Sequence, residues 1–279
     1  MEQMATIKAF APAKVNLTLH VTGQRDDGYH LLDSLVVFAD VGDHLQVQGG
    51  IGLNLSVTGP MAQDVPTDTR NSVLQAAKLM GQDNLSFRLE KNLPTSAGIG
   101  GGTSDAAAAV RAIAELRNCE VPSDLLPLGA DVPVCALAKA AHMYGIGEAV
   151  LPVPGVPDLH AVLANPGVDV ATPEIFKRLK TKTNAPMTTD MPVFQSARIF
   201  AEWLGTQRND LEASAILAQP KIDEVKSELA ATGAPMLVRM SGSGATCFAL
   251  YETQEQAQTA ALELARRRPA WWVRACQLS

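Results

Sequence analysis

The segment Leu93–Ala109, LPTSAGIGGGTSDAAAA, constrains the fold more than any other part of this chain. It contains four glycines, four serines or threonines, and then an alanine-rich run that predicts a helix. Glycine lacks a Cβ, so such a loop can adopt positive φ and bring its N–H groups close to a ligand. The first N–H groups of the following helix have no internal partners, and the helix dipole makes that end positive. A loop of this kind leading into a helix is typical of a phosphate-binding site.

Three familiar phosphate loops do not fit this segment. The Walker A pattern requires a lysine after its last glycine, and none follows Gly102. The dinucleotide pattern G-x-G-x-x-G fails because Thr103 and Asp105 stand where its third glycine is required. The glycine loop of protein kinases fails for the same reason. A purely structural turn is disfavoured because so many glycines carry an entropic cost that a plain turn does not need.

Charge and cysteine content exclude other classes of function. The 279 residues carry a net charge of −6, which disfavours nonspecific binding to nucleic acid or to an anionic membrane. The cysteines form no C-x-x-C pair, so reduced thiols are expected at Cys119, Cys135, Cys247 and Cys276. The first residues lack a signal-peptide pattern, and no apolar run is as long as a membrane span. A cytoplasmic protein is therefore expected.

Hydrophobic periodicity predicts a mixture of strands and helices. Period-two alternation or apolar runs predict strands at Val15–Val21, Leu53–Val57, Leu85–Leu89, Leu159–Ala164, Met236–Met240, Thr246–Tyr251 and Trp271–Cys276. Helices are predicted at Asn71–Met80, Ser104–Leu116, Ser196–Leu204, Ile222–Ala231 and Thr253–Arg267, with a further helix starting at an N-cap on Thr172. The polar, threonine-rich composition of Thr181–Met191 predicts a loop. The Pro- and Gly-rich segment Val150–Asp158 predicts a connector, which gives two domains, 1–155 and 156–279.

Three motifs in order resemble those of the GHMP kinases, the superfamily of galactokinase, homoserine kinase, mevalonate kinase and phosphomevalonate kinase. They are Ala11–Leu17 (APAKVNL), Pro94–Ser104 (PTSAGIGGGTS) and Ser241–Ala245 (SGSGA). The resemblance implies an α+β two-domain GHMP-kinase fold. Its N-terminal domain would resemble domain 2 of ribosomal protein S5, and its C-terminal domain would be a ferredoxin-like α+β domain. It also implies ATP, arriving with Mg²⁺, as the phosphoryl donor, without a dedicated protein site for the metal.

The resemblance assigns catalytic roles to two residues and nucleotide binding to the loop. Asp131, in LGADVPV, would accept the proton of the substrate hydroxyl, although by itself it is better interpreted as a turn aspartate. Lys14 would keep that carboxylate ionised and offset charge on the γ-phosphate, the alternative being a solvated surface lysine. The ATP phosphates would be wrapped by Pro94, Thr95, Ser96, Ala97, Gly98, Ile99, Gly100, Gly101, Gly102, Thr103 and Ser104.

Three further segments resemble one branch of the superfamily, whose members phosphorylate a cytidine-diphosphate sugar alcohol on the non-mevalonate route to isoprenoid precursors. They are Gly28-Tyr29-His30, Leu128–Val134 and Pro166–Phe176. Tyr29 would stack on the cytosine and His30 would read its hydrogen-bonding edge. Phe176 would cover the other face of the base, or else serve as a core phenylalanine. The remaining substrate contacts would come from Asn16, Gly242 and Gly244.

Alternatives remain open from the sequence. The nearest is another GHMP kinase of the homoserine or phosphomevalonate type; further ones are a dinucleotide-binding oxidoreductase and a catalytically silent ATP-binding protein. One segment, Arg117–Leu128, looks shorter than is usual in the family, which places the packing before Asp131 in question. The expected partners are ATP and the sugar alcohol, with no nucleic acid and no membrane, and the expected state is a monomer or weak homodimer.

Overall fold

The computed structural model describes residues 5–187 and 194–279. In these residues the strands are β1 (Thr6–Asn16), β2 (His20–Gln24), β3 (His30–Gly49), β4 (Leu53–Thr58), β5 (Leu85–Glu90), β6 (Ala141–Gly145), β7 (Ala149–Pro152), β8 (Leu159–Asn165), β9 (Leu237–Met240), β10 (Cys247–Tyr251) and β11 (Trp272–Leu278). The helices are α1 (Ser72–Leu79), α2 (Gly101–Arg117), α3 (Val132–Leu137), α4 (Thr172–Lys177), α5 (Ala197–Gly205), α6 (Glu212–Ala218), α7 (Lys221–Ala230) and α8 (Gln254–Arg267). None of the helices described is long and apolar enough to cross a membrane.

Two compact units make up the chain, and neither is a single stretch of sequence. The first unit comprises residues 1–13, 41–95 and 100–138, and the second comprises 14–40, 96–99 and 139–279. The glycine-rich segment, Pro94–Ser104, is thus divided: its inner residues 96–99 belong to the second unit and the remaining residues to the first. The boundary at residue 155 stays a prediction about sequence domains.

The first unit is built around α2. Its residues Ala106–Ala109 have no exposed surface, and α1 and α3 pack against it. In the sheet of this unit, β4 pairs in parallel with β5, and β5 pairs antiparallel with the later half of β3. The predicted helix Asn71–Met80 is confirmed, because Asn71 caps α1 by accepting the N–H of Val73 and Met80 ends it.

The second unit contains the ferredoxin-like arrangement expected for the C-terminal domain. Its four strands lie in the order β11-β8-β10-β9, and each pairs antiparallel with its neighbour. Helices α7 and α8 pack against this sheet, so the order of strands and helices follows the split βαβ pattern. The core combines buried strand residues such as Val162 and Ala249 with the helix residues Val225 and Leu264. All four strands in this sheet were predicted within two residues of their observed bounds.

A long strand that no periodicity predicted runs through both units. β3 pairs with β2 and β6 in its first part, and β6 pairs with β7. The run Ser34–Ala39 is buried on both faces, so it lacks the alternation by which half-buried strands are recognised. The prediction of a connector over Val150–Asp158 is wrong at its start, because Ala149–Pro152 is a strand.

The predicted strand Val15–Val21 is also wrong as a single element. β1 ends at Asn16 and β2 begins at His20, because the chain bends where Leu17 and Thr18 both donate to the carbonyl of Leu35. The alternation survives this bend, since Leu17 and Leu19 are both buried. The periodicity therefore predicted correctly which residues are buried, but it did not predict that the strand is interrupted.

Two helix starts differ from their predictions by a few residues. α4 begins at Thr172 with Ala171 as N-cap, since the Thr172 hydroxyl bonds the Ser243 hydroxyl at 2.7 Å and does not cap the helix. α2 begins at Gly101, three residues before the predicted start at Ser104. The loop predicted over Thr181–Met191 lies outside the described residues from 188 onward, and residues 181–187 have no regular secondary structure.

Candidate active site

The three sequence motifs meet at the inner part of the glycine-rich segment, residues 96–99. The N–H of Lys14, in the first motif, donates to the carbonyl of Ile99 at 2.9 Å. From the third motif, the Ser241 hydroxyl donates to the carbonyl of Gly98 at 2.9 Å, and the N–H of Thr246 donates to Ala97. Ser241 also accepts the N–H of Asn16 at 3.1 Å, which joins the first motif to the third.

The glycines in these motifs permit a close backbone approach. Gly98 has φ +71°, and a Cβ at this position would lie 2.5 Å from the carbonyl oxygen of Ser241. Gly242 has φ +56°, and its Cβ would lie 2.8 Å from the carbonyl oxygen of Gly98. Neither position can therefore hold another residue without moving backbone. The observed contact of Gly242 is with the glycine-rich segment, and its assignment to the substrate, like that of Gly244, stays a prediction.

The outer part of the segment forms the N-terminus of α2. Gly100 is the N-cap with left-handed geometry and no side-chain cap, so the first N–H groups of a 17-residue helix depend on other partners. Thr103 donates its hydroxyl to the carbonyl of Gly100 at 2.9 Å. Ser104 is fully buried and donates its hydroxyl to the carbonyl of Pro12 at 2.6 Å. Both hydroxyls are therefore engaged by backbone carbonyls. An anion at this end of α2 would bind mainly to backbone N–H groups and would be attracted by the helix dipole.

Lys14 and Asn16 are held inside the protein by β1. Lys14 is 3% exposed, which excludes the interpretation as a solvated surface lysine. Asn16 is 1% exposed and donates from its amide nitrogen to the Ser34 hydroxyl at 2.8 Å. Its amide oxygen Oδ1 is buried without a hydrogen-bond partner. A buried acceptor without a partner is costly.

Asp131 belongs to the first unit, in a turn near the N-terminus of α2. It precedes α3, in the turn that begins at Gly129, and its side chain does not cap that helix. Gly129 has φ +137°, and a Cβ there would lie 3.3 Å from Cγ2 of Thr103. The turn that carries Asp131 therefore packs against the first turn of α2. A carboxylate so placed can accept a proton from a group bound near that helix end.

Tyr29, His30 and Phe176 form an aromatic group in the second unit. His30 and Phe176 stack directly with ring centroids 4.7 Å apart, so no base fits between these two rings. Tyr29 is 59% exposed, which leaves its ring available for stacking. Nε2 of His30 is buried without a hydrogen-bond partner. Burial, aided by the nearby Lys182 ammonium, lowers the pKa of His30, so the imidazole is neutral at pH 7 and can both donate and accept.

Two contributors to this arrangement were missed by the sequence analysis. Ser241 hydrogen-bonds to both other motifs, but the sequence analysis assigned a role only to the glycines of the SGSG sequence. The buried ion pairs of Lys91 with Asp43 and Asp105 left no signal, because the three residues come from separate parts of the chain. Among the residues described, no group of three His, Cys, Asp or Glu side chains is arranged to hold a metal ion.

Comparison with known proteins places this geometry among kinases. Residues 71–145 match the GHMP kinases N terminal domain, and residues 192–270 match the GHMP kinases C terminal description. The 4-diphosphocytidyl-2-C-methyl-D-erythritol kinase of Dinoroseobacter shibae is 57% identical over 96% of this chain and 93% of that protein. The protein of the same name from Cereibacter sphaeroides is 50% identical over 95% of this chain and 97% of its own length.

Solved structures agree with these matches. A crystal structure of 4-(cytidine 5'-diphospho)-2C-methyl-D-erythritol kinase superposes with a TM-score of 0.78 at 34% identity, covering 98% of this chain and 99% of that one. Homoserine kinase from Cytophaga hutchinsonii gives a TM-score of 0.63 at 20% identity, covering 99% and 97%, which shows a shared fold alone. The expected two-domain kinase fold is thereby confirmed. The dinucleotide-binding oxidoreductase alternative finds no support among these matches.

Proposed function

Because the chain belongs to the GHMP kinases, and within them to the 4-diphosphocytidyl-2-C-methyl-D-erythritol kinase family, we propose that it phosphorylates the C2 hydroxyl of 4-diphosphocytidyl-2-C-methyl-D-erythritol with ATP. This reaction belongs to the non-mevalonate synthesis of isoprenoid precursors. The observation that carries the proposal is the 57% identity to a protein of that name over nearly the whole chain. The partnerless Nε2 of His30, beside an available tyrosine ring, fits a pyrimidine base.

In the proposed reaction the protein mainly positions the reactants and stabilises charge, as phosphoryl transfer requires. Residues Pro94–Ser104 and the N-terminus of α2 bind the ATP phosphates through backbone N–H groups. Asp131 accepts the proton of the C2 hydroxyl as that oxygen attacks the γ-phosphorus and the bond to the β,γ-bridging oxygen breaks, releasing ADP; Lys14 offsets the negative charge that develops. Mg²⁺ enters with ATP and neutralises charge on the phosphate oxygens when bound.

Recognition of the acceptor falls to side chains of the second unit. Tyr29 and Phe176 contact the faces of the cytosine, and His30 exchanges hydrogen bonds with its edge. Asn16 accepts a hydrogen bond from a substrate hydroxyl through its buried Oδ1. Gly242 and Gly244 let the backbone of the third motif approach the substrate diphosphate. We further propose that the enzyme works in the cytoplasm as a monomer or weak homodimer.

A coupled assay of ADP release tests this proposal. Wild-type enzyme is incubated with MgATP and, in parallel, 4-diphosphocytidyl-2-C-methyl-D-erythritol, homoserine or mevalonate. We expect turnover with the cytidine compound alone. Turnover restricted to homoserine or mevalonate would contradict the substrate assignment and leave the kinase assignment standing, whereas no ADP release with any acceptor would contradict both.

A further inference from the structure

Three buried charged side chains lie next to the glycine-rich segment, all within the first unit. Lys91 directly follows β5, Asp43 lies in β3 and Asp105 lies in α2. None is more than 3% exposed. The ammonium of Lys91 contacts Oδ2 of Asp43 and lies 2.9 Å from Oδ2 of Asp105. It therefore bridges two carboxylates that are 62 positions apart in the sequence.

These contacts hold both ends of the segment. Oδ1 of Asp43 accepts the N–H groups of Asn92 at 2.5 Å and Leu93 at 2.9 Å, the residues that lead into Pro94. Asp105 lies one turn into α2, whose first residue is Gly101. A Cβ on Gly101 would lie 3.5 Å from the Lys91 ammonium, so the cation sits directly beside the start of the helix.

Burial of three ions is an expensive way to stabilise a fold. Each ion loses several kcal/mol of hydration, and apolar residues of similar size often stabilise a protein as well or better. What an ion group adds is geometry, because an ammonium between two carboxylates fixes the distance and direction of three backbone segments. Here the ions fix the residues that lead into the glycine-rich segment and the first turn of α2 that follows it.

We propose that Asp43, Lys91 and Asp105 are positioning residues for the nucleotide phosphates. They hold residues 91–95 and the first turn of α2 in the mutual arrangement in which the backbone N–H groups bind the phosphates. This inference rests on the proposed function, since the ATP phosphates are the ligand in question. A second consequence is electrostatic: Asp43 and Asp105 offset the positive charge of Lys91, so the attraction for phosphate comes from the N–H groups and the helix dipole.

Affinity for MgATP, measured by calorimetry, and the KM values of both substrates test the proposal. The variants are Lys91→Met, Lys91→Arg and Asp105→Asn, with Glu252→Gln as the control that breaks an exposed ion pair with Arg198. We expect Lys91→Met to weaken MgATP binding at least tenfold and Asp105→Asn about threefold, with the KM of the cytidine substrate within twofold of wild type. Lys91→Arg should restore part of the loss, and Glu252→Gln should match wild type.

Two outcomes would overturn the proposal. One is a folded Asp105→Asn or Lys91→Met protein that binds MgATP like wild type, and the other is an equal rise in both KM values. If Lys91→Met does not fold, Asp105→Asn decides, because it keeps the contact between Lys91 and Asp43. Wild-type enzyme that binds MgATP but phosphorylates no acceptor would contradict the proposed function, while the calorimetric comparison would still test the positioning role.

Discussion

At the scale of single residues, two buried polar atoms of the candidate site lack hydrogen-bond partners. Oδ1 of Asn16 and Nε2 of His30 are both enclosed and unsatisfied among the described residues. Most buried polar groups in folded proteins have a hydrogen-bond partner, and leaving one unmade costs about 1–3 kcal/mol. A ligand that supplies a donor to one atom and a complementary base edge to the other would recover that energy on binding.

Removal of the His30 imidazole should weaken binding of the cytidine substrate specifically. For His30→Ala we expect the KM of that substrate to rise about tenfold, the equivalent of one lost hydrogen bond, with the KM of MgATP unchanged. Steady-state kinetics with each substrate varied in turn measures both values. His160→Ala, which removes a half-buried histidine of β8, serves as the control. An equal effect of the two substitutions would count against a role in base recognition.

Loss of the proposed base should reduce turnover without preventing nucleotide binding. For Asp131→Asn we expect kcat to fall by about 10² to 10⁴, because an amide cannot accept the hydroxyl proton. Lys14→Ala should also lower kcat by a large factor, since the developing charge is no longer offset. Calorimetric affinity for MgATP should change little in either variant. Asp158→Asn, at an exposed position, is the control, and near wild-type turnover in either test variant would refute its assigned role.

The sequence anticipated these residues unevenly. Lys14, Asp131 and His30 were proposed as site residues because they lie in or near short motifs, whose residues are consecutive in the chain. Asp43, Lys91 and Asp105 were not, because a triad assembled from a strand, a loop residue and a helix has no local pattern. A buried atom without a hydrogen-bond partner, such as Oδ1 of Asn16, also cannot be recognised in a sequence, because its possible partners are known only once the chain is folded.

At the scale of elements, the glycine-rich segment depends on one glycine that packs against backbone. Gly98 and Gly167 share φ +71°, but a Cβ on Gly98 would meet Ser241 at 2.5 Å, and a Cβ on Gly167 would meet nothing within 4 Å. Gly167→Ala should lower the free energy of unfolding by about 1–2 kcal/mol, the cost of left-handed geometry. Gly98→Ala should cost at least about 1 kcal/mol more and abolish most activity.

Urea denaturation of these two variants separates backbone strain from contact. Because both glycines have the same φ, the cost of left-handed geometry is the same in the two variants. The difference between their free energies of unfolding therefore measures the close contact of Gly98 with Ser241 of the third motif. Equal losses in both variants would show that the close approach of Gly98 to Ser241 contributes nothing.

The elements themselves were predicted best where one face is buried and worst where both are. β4 alternates between half-buried and exposed residues and β5 between buried and more exposed ones, and the sequence analysis predicted both strands. β3 is buried on both faces through Ser34–Ala39, so this part of the strand has no period-two signal, whereas the later alternation of Leu45 and Val47 with more exposed neighbours was overlooked. Bends such as the one between β1 and β2 depend on hydrogen bonds to a distant carbonyl, that of Leu35, which periodicity cannot represent.

At the scale of the whole molecule, Asp105 should make stability depend on pH. Burial raises the pKa of Asp105 to about 7, and Asp43 adds to this against the opposing effect of Lys91. The folded protein therefore retains a proton that the unfolded chain loses near pH 4, so this contribution to stability falls as pH rises from about 4 to about 7.

Urea titrations at pH 5, 6.5 and 8 measure this dependence. We expect the free energy of unfolding to decline with pH more steeply for wild type than for Asp105→Asn, which has no proton to lose. His20 and His30, whose pKa values burial lowers, act in the opposite direction and are the same in both proteins. Identical pH slopes would show that Asp105 does not titrate in this range.

The hydrogen bonds of Ser241 also determine when the site can assemble during protein synthesis. The serine bonds to Gly98, 143 positions earlier, and to Asn16, 225 positions earlier. At typical elongation rates of about 5–20 residues per second, Gly98 waits about 7–29 s on the ribosome before Ser241 is made. A nascent chain shorter than this lacks the hydrogen bonds by which Ser241 joins the third motif to Gly98 and Asn16.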